Sequence, residues 1–228
     1  MAYTFLDQQN FLSSLLGDSN VDASSQWPTA QRQTELNHAE KQFARDTKIL
    51  METATGTASS KVITIPTGWI ETFVMHVTVS STLYKVTGDR EISIKDLERW
   101  NTYSGDFPYY WFWASSGTRQ YTLVGSSNLS SAAYSLYYFE QPTTALSGDT
   151  DESLIPEEYR QAPVFKTASN LLLQTGQYSR SGALLQAYDR LMVQARDEAR
   201  KWYLDYEAPR PDMNIADITP QDMQGQGY

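Results

Sequence analysis

The chain contains no cysteine and only two histidines, His38 and His76. Without cysteine, disulfides, thiolate metal sites and thiol nucleophiles are excluded, so packing alone must hold the fold together. Two histidines exclude a histidine-rich metal site, and a Ser/His/Asp triad would have to use one of them. The sequence also has no GxSxG elbow and no phosphate-binding glycine pattern. These absences argue against an enzyme, and we expect no catalytic residue, no cofactor and no metal.

Long apolar runs and an excess of basic charge are also missing. The stretch "MAYTFLDQQNFLSSLLGDSN" has neither a basic start nor a long apolar run, so we expect no signal peptide and no membrane span. The 228 residues carry a formal charge of −9 at pH 7, which argues against binding nucleic acid through a broad basic face. A negative wall would still suit a conduit through which DNA slides without sticking.

Two helices are predicted near the start of the chain. Thr4 is a suitable N-cap with Asp7 in the first turn, and Gly17 is placed to end the helix. Pro28 and Thr29 open a second segment whose apolar side recurs at spacings of three and four. That stripe, which predicts a buried helical face, consists of Leu36, Ala39, Phe43, Thr47 and Leu50.

A small antiparallel β unit is predicted between Lys61 and Glu140, where β-branched and aromatic residues alternate with turn residues. The expected strands are "KVITI", "ETFVMHVTVSSTLYKV", "RQYTLVG" and "AAYSLYYFEQP". The small, polar stretch 53–60 before them predicts a loop. Within the unit, "SIKDLERWN" predicts a short helix capped by Ser93, with Leu97 and Trp100 on one side.

The run Tyr109, Tyr110, Trp111, Phe112 and Trp113 is the local feature that most suggests binding. Such rings can form a platform for sugars, but alternate residues of a strand point to opposite faces. We favour a strand with Tyr110 and Phe112 towards the core. In this interpretation the other three side chains form a subunit or tail interface: Tyr109, Trp111 and Trp113.

Two more helices are predicted after the β unit. The first starts at about Pro156, buries Val164, Ala168, Leu171 and Leu172, and is ended by Gly176. Pro163 should kink or interrupt it, because proline lacks a backbone donor. The second places Leu184, Tyr188, Leu191, Ala195, Ala199 and Trp202 on one side. Its basic residues fall largely elsewhere and predict solvated surface: Arg190, Arg196, Arg200 and Lys201.

The remaining features are acidic pairs and the C-terminal stretch. Asp149 with Asp151, and Glu157 with Glu158, are better explained by helix capping and solubility than by catalysis. From Asp205 onward the amphipathic period stops, which predicts an extended tail. Its prolines stiffen the chain and its apolar residues offer anchors for docking: Pro209, Pro211, Met213, Ile215, Ile218, Met223 and Tyr228.

The stretch "LIPEEYRQAPVFKTASNLLLQTGQYSRSGALLQAYDRLM" resembles the carboxy-terminal helical pair of head-to-tail adaptor proteins of tailed bacteriophages. The strand and acidic linker before it, "YSLYYFEQPTTALSGDTD", fit the same family. The stretches "IPTGWIETFVMHVTVSSTLYKVTGDREISIKDLERWN" and "SSGTRQYTLVG" look like its β insertion, and "LGDSN" with "WPTAQRQTELNHAEKQFARD" looks like its first two helices. The resemblance covers roughly Phe5 to Tyr203.

The resemblance implies an α+β fold in four parts. These are N-terminal helices over 1–56, an inserted β-rich domain over 57–146, a C-terminal helical pair over 147–204 and an extended docking tail over 205–228. Together the helices would form a bundle.

The resemblance further implies a ring of twelve copies beneath the portal vertex of the capsid, assembled in the host cytoplasm. Its partners would be the portal protein, tail or nozzle proteins and further copies of itself, and genomic DNA would pass through without sequence-specific binding. The tail would grip the portal.

The alternative is a β-rich carbohydrate-binding accessory protein of a phage tail or capsid, with the aromatic run as its platform. An enzyme is a distant third.

Overall fold

The computed structural model describes residues 3–17, 26–86, 91–96, 100, 102–115 and 118–207. In these ranges the α-helices are α1 (Phe5–Leu16), α2 (Thr29–Thr47), α3 (Gln161–Gln174) and α4 (Tyr178–Glu207). The strands are β1 (Met51–Thr57), β2 (Val62–Thr64), β3 (Trp69–Val79), β4 (Thr82–Val86), β5 (Tyr109–Ser115), β6 (Thr118–Val124) and β7 (Ala133–Glu140). The expected mixed α+β class is confirmed, while the four-part division stays a prediction.

The strands form two sheets rather than the single unit expected from the sequence. One sheet has the order β1-β7-β3-β4 and the other has the order β2-β6-β5. All of the strand pairs are antiparallel, as predicted. The short helix expected after Ser93 is a 3-10 turn at Ile94–Asp96, in which the Asp96 amide donates to the Ser93 carbonyl at 2.9 Å. Leu97 lies outside the described residues.

The loop predicted over 53–60 is wrong for most of its length, because β1 occupies 51–57. Every residue of β1 is paired in register with β7, from Met51 opposite Phe139 to Thr57 opposite Ala133. The ladder with a distant strand supplies the backbone hydrogen bonds that the small, polar side chains do not signal locally. A turn follows only at Ser60 and Lys61, which both have positive φ.

The first helix is capped as its sequence predicts, and the second begins after Pro28 as expected. The Thr4 hydroxyl accepts from the Asp7 amide at 3.3 Å and the Asp7 carboxylate accepts from the Thr4 amide at 2.9 Å, which makes a capping box. Gly17 ends α1 in the left-handed conformation, with φ of 68°. In α2 the predicted stripe is buried from Leu36 to Thr47, whereas Leu50 lies beyond the helix.

The first C-terminal helix begins later than predicted. A 3-10 turn, Glu157–Tyr159, follows Pro156, and the α-helix starts only at Gln161. Pro163 therefore lies in the first turn of α3, where an amide has no acceptor within the helix, and it does not kink the helix. Gly176, with φ of 76°, reverses the chain before α4 as expected.

Buried apolar residues form three clusters. The space between the two sheets holds one cluster, with Ile63, Val77, Leu123 and Leu136 at its centre. The second joins α1, α2 and α3 through the predicted face of α3, whose four apolar residues are all fully buried: Val164, Ala168, Leu171 and Leu172. The third joins the end of α2 to the middle of α4, and in it Phe43 packs on Tyr188 and on Tyr159 of the 3-10 turn.

One carboxyl group is buried among these helices. Glu40 on α2 is 1% exposed and accepts from Gln8 Nε2 at 3.4 Å. Burial raises the pKa of Glu40 above its ordinary value of 4.5, and hydrogen bonds from Ser153 and Gln8 and the charge of Arg160 only partly oppose this. Arg160 itself donates to the carbonyls of Tyr3, Ser153 and Ile155, so it is held by the backbone.

We predict that Glu40→Gln removes a pH-dependent loss of stability. Because the folded-state pKa lies above the unfolded one, the native state holds the extra proton, and its free energy of unfolding falls as pH rises from about 4.5 through the folded pKa. Glutamine fits the same space without a charge, so the difference between variant and wild type should grow with pH over that window. Urea unfolding at a series of pH values measures it.

Asp7→Asn is the matched control, because its effect on stability should change with pH in the opposite direction. The Asp7 pKa is lowered by its bonds to the backbone and side chain of Thr4, so its contribution is present above the unfolded pKa and is lost as pH falls. A stability difference for Glu40→Gln that does not change with pH would contradict the assignment.

Candidate interaction surfaces

The aromatic run forms strand β5, and its side chains alternate as predicted. Trp111 and Trp113 share a face, and their rings stack in parallel with 5.5 Å between centroids and 14° between planes. Trp113 Nε1 donates to the Thr122 hydroxyl on the neighbouring strand β6 at 3.0 Å. Both tryptophans are half-buried. The pair is therefore a flat, ordered apolar surface that remains partly open to solvent.

Tyr109 lies on the same face but is enclosed by other rings. Its centroid is 4.5 Å from that of Trp100, 5.3 Å from that of Tyr103 and 5.5 Å from that of Phe107. Of the three predicted interface residues, Tyr109 is thus packed against three rings of its own chain, and all three residues are half-buried.

The opposite face of β5 lines a cleft between the two sheets. Tyr110 packs edge-on against Tyr121, and Phe112 stacks on Trp69 at 5.6 Å. Phe112 was expected in the core but is 37% exposed, because it lies at the mouth of the cleft. The cleft has a volume of about 290 Å³, and its walls include two carboxylates, Glu71 and Glu91.

A hydrogen-bonded link crosses this cleft. The Thr72 hydroxyl on β3 accepts from Trp69 Nε1 at 2.9 Å and lies 2.6 Å from the Tyr121 hydroxyl on β6. Burial raises the pKa of Tyr121 to about 12, although the bond to Thr72 opposes the shift. One threonine therefore joins the two sheets.

A groove of about 430 Å³ lies where the helices meet the first sheet. Lys48 forms an ion pair with Glu71, and its ammonium lies 5.7 Å from the Phe139 ring centroid. On the other wall, Arg196 Nε donates to the Asp46 carbonyl at 2.8 Å. Lys48 therefore joins the end of α2 to the sheet, and Arg196 joins α4 to α2.

The histidines and the acidic residue that were considered as catalytic candidates lie in ordinary structural positions. His76 is a half-buried strand residue packed edge-on against Tyr137, and burial together with the charge of Lys85 lowers its pKa. His38 lies on α2. Asp151 accepts from the amides of Ser147 and Gly148, both at 2.8 Å, which lowers its pKa. Among the described residues, no group of three or more histidines and carboxylates is placed to hold a metal ion.

The basic side of α4 is exposed, as predicted for Arg190, Arg196, Arg200 and Lys201. The helix runs to Glu207, three residues into the stretch expected to be extended. The predicted docking residues all lie outside the described residues: Pro209, Pro211, Met213, Ile215, Ile218, Met223 and Tyr228.

A family model described as "SU10 adaptor protein" matches residues 3–215. The chain belongs to the SU10 adaptor protein family. This family comprises bacteriophage structural adaptors, which are virion components that contact other virion proteins and do not form an enzyme class. The predicted resemblance to a phage adaptor is confirmed at this level. A search of curated proteins finds no match.

Among the described residues of this SU10 adaptor, no helix is both long enough and apolar enough to span a membrane.

We predict that Thr72→Val destabilises this SU10 adaptor more than Tyr121→Phe does. Valine matches the shape of threonine but leaves the Trp69 Nε1 donor and the Tyr121 hydroxyl without their partner. Phenylalanine removes one bond and leaves the Trp69 bond intact. The expected losses in free energy of unfolding are about 2 kcal/mol and about 1 kcal/mol, measured by urea denaturation. Equal losses would show that Thr72 is not the shared partner.

Proposed function

We propose that this chain is the head-to-tail adaptor of a tailed bacteriophage. Twelve copies form a closed ring beneath the portal vertex, the ring joins the portal protein to tail or nozzle proteins, and genomic DNA passes through its channel. Assembly takes place in the host cytoplasm. The observation that carries this proposal is the family match, which extends over residues 3–215 and so includes the helices and both sheets.

The shape of the chain supports a ring subunit. The four helices act as a bundle-like scaffold, because α3 packs against α1, α2 and α4. Large apolar side chains remain exposed along the hairpin of α3 and α4: Leu173, Tyr178, Leu185 and Val193. Exposed apolar residues of this kind suit contacts with neighbouring proteins. Trp111 and Trp113 offer a second such surface, which we assign to a neighbouring subunit or to a tail protein.

The charge of the chain supports passage of DNA without retention. A formal charge of −9 on each copy repels phosphate, and DNA that must travel through a channel benefits from walls to which it does not bind. No sequence-specific contact is needed for this role.

A reconstruction of the particle tests the proposal directly. The chain should lie on the tail axis as a closed ring of twelve copies between portal and tail, with the Trp111 and Trp113 surface against another protein chain. A peripheral position with these tryptophans open to solvent would instead favour the carbohydrate-binding alternative.

We predict that the C-terminal tail anchors the ring to the portal. A chain truncated after Glu207 keeps every described helix and strand, so its helical content and thermal midpoint should match those of the full chain, while its occupancy on portal assemblies should fall sharply. Pull-down with the portal protein of the same virus, quantified by mass spectrometry, measures the occupancy.

A full-length variant with Met213→Ser, Ile215→Ser and Ile218→Ser is the matched control for tail length. It retains the chain length and prolines but lacks apolar anchors, and it should bind as poorly as the truncation. Normal loading of truncated protein onto portals would remove the tail from the interface.

A further inference from the structure

Strand β1 is unusually open for a strand with a complete ladder. Six of its seven residues are exposed and only Ala54 is partly buried, so both faces of the strand meet solvent. It is an edge strand, with β7 on one side only. A residue-by-residue pairing with β7 nevertheless keeps it extended.

The hydrogen bonds at the two ends of β1 show which main-chain groups face outward. The Glu140 amide donates to the Leu50 carbonyl at 3.0 Å, and the Ala58 amide donates to the Ala132 carbonyl at 2.9 Å. Hydrogen-bonded pairs alternate along an antiparallel ladder, so the even-numbered residues between them bond to β7. The odd-numbered residues direct their amides and carbonyls to the free edge: Met51, Thr53, Thr55 and Thr57. Of these groups, the Thr53 amide donates to the Glu52 carboxylate at 3.3 Å.

Three of the features that commonly protect an edge are missing from β1, and its one charged residue is Glu52. Its sequence, METATGT, has no proline and no lysine, and its register with β7 shows no bulge. Natural edge strands commonly carry one of these features because an open edge templates pairing with another chain. Threonine-rich, β-branched sequence also favours the extended state. The edge is therefore suited to accept a further strand.

The opposite edge of the same sheet is β4. Its hairpin with β3 turns through Ser80 and Ser81, which both have positive φ as a two-residue turn requires. Val79 and Thr82 flank the turn as a hydrogen-bonded pair, so the alternating ladder leaves the main-chain groups of Leu83 and Lys85 facing outward. Leu83 is 63% exposed, the largest exposure among the apolar strand residues described.

The two edges of the sheet match in strand direction. The sheet has four strands that alternate in direction, so β4 of one copy placed beside β1 of another continues the antiparallel order. Through the register, Leu83 is aligned with Thr78, Ala133 and Thr57, which puts Leu83 on the same sheet face as Met51. Lys85, the charged residue of β4, is aligned with His76, Ser135 and Thr55 and so shares this face, whereas Glu52, the charged residue of β1, lies on the opposite face.

We propose that β1 of one copy pairs with β4 of the next copy, so that the sheets join edge to edge around the assembly. This contact uses different surfaces on the two partners, as a ring requires, whereas β1 paired with β1 would close a dimer. The inference rests on the proposed ring and names the surface that forms it. In it, Leu83 lies against the threonines of β1 and is covered where each copy alone exposes it.

Thr55→Pro tests the contact without breaking the monomer. The Thr55 amide faces outward, so proline removes no bond to β7 but blocks an added strand. The full-length protein should keep its helical content, while its ring yield, alone or with the portal protein of the same virus, should fall at least on the order of tenfold by mass photometry. Thr55→Val is the matched control and should form rings like the wild type.

Crosslinking supplies a second measurement that does not depend on proline. Because the chain has no cysteine, Thr53→Cys combined with Leu83→Cys places the only two thiols on the two edges. A short bismaleimide should join assembled copies into a covalent ladder of multiples on a denaturing gel. Thr53→Cys combined with Thr34→Cys, an exposed residue on α2, should give no ladder.

The outcomes separate this inference from the proposed function. Rings formed by Thr55→Pro at the wild-type yield, or assembled rings without the ladder, would overturn the strand pairing and leave the ring in place. If the wild type formed no ring either alone or on the portal, the proposed function would fail and the pairing with it.

Discussion

The pairing of β1 with β7 is the constraint on which the rest of the structure depends. The chain leaves the helices at Leu50 and returns at Glu140, and the 3.0 Å bond between these two residues places exit and return side by side. The helices before and after the β region can therefore pack on each other as one body. Asn37 fixes the returning chain further, because its side-chain amide bonds to both the amide and the carbonyl of Leu146, at 2.7 and 3.0 Å.

Two arginine side chains likewise hold distant parts of the chain together. Arg32 is 2% exposed, and its guanidinium donates to the Trp27 carbonyl and to the Ser13 hydroxyl, which ties the segment before α2 to α1. Arg160 does the same for the start of the chain and the linker after β7 through three carbonyls. In a chain without disulfides, arginine-to-carbonyl bonds hold irregular segments that apolar packing alone does not fix.

The helices were predictable because their signals are local. Thr4, Asp7, Gly17 and Gly176 mark helix ends through the backbone conformations and caps that those residues favour. The strands with alternating apolar residues were predictable for the same reason. Strand β1 was not predictable, because the strand that pairs with it lies about eighty residues away along the chain.

Of the interaction surfaces, the alternation along β5 could be derived from strand geometry. The link from Thr72 to Tyr121 and the open edges of the first sheet could not, because they depend on which strands become neighbours. The exposure of Phe112 follows from the same cause, since a strand pattern does not show where a cleft opens.

The adjacency of Leu50 and Glu140 also bears on how such chains vary. A segment whose two ends meet at one point can be lengthened, shortened or replaced without changing the path of the helices on either side. Natural variation among relatives is therefore expected to concentrate between β1 and β7, while the helical residues that pack across the junction change together. The helical body and the β region can in this way diversify at different rates within one polypeptide.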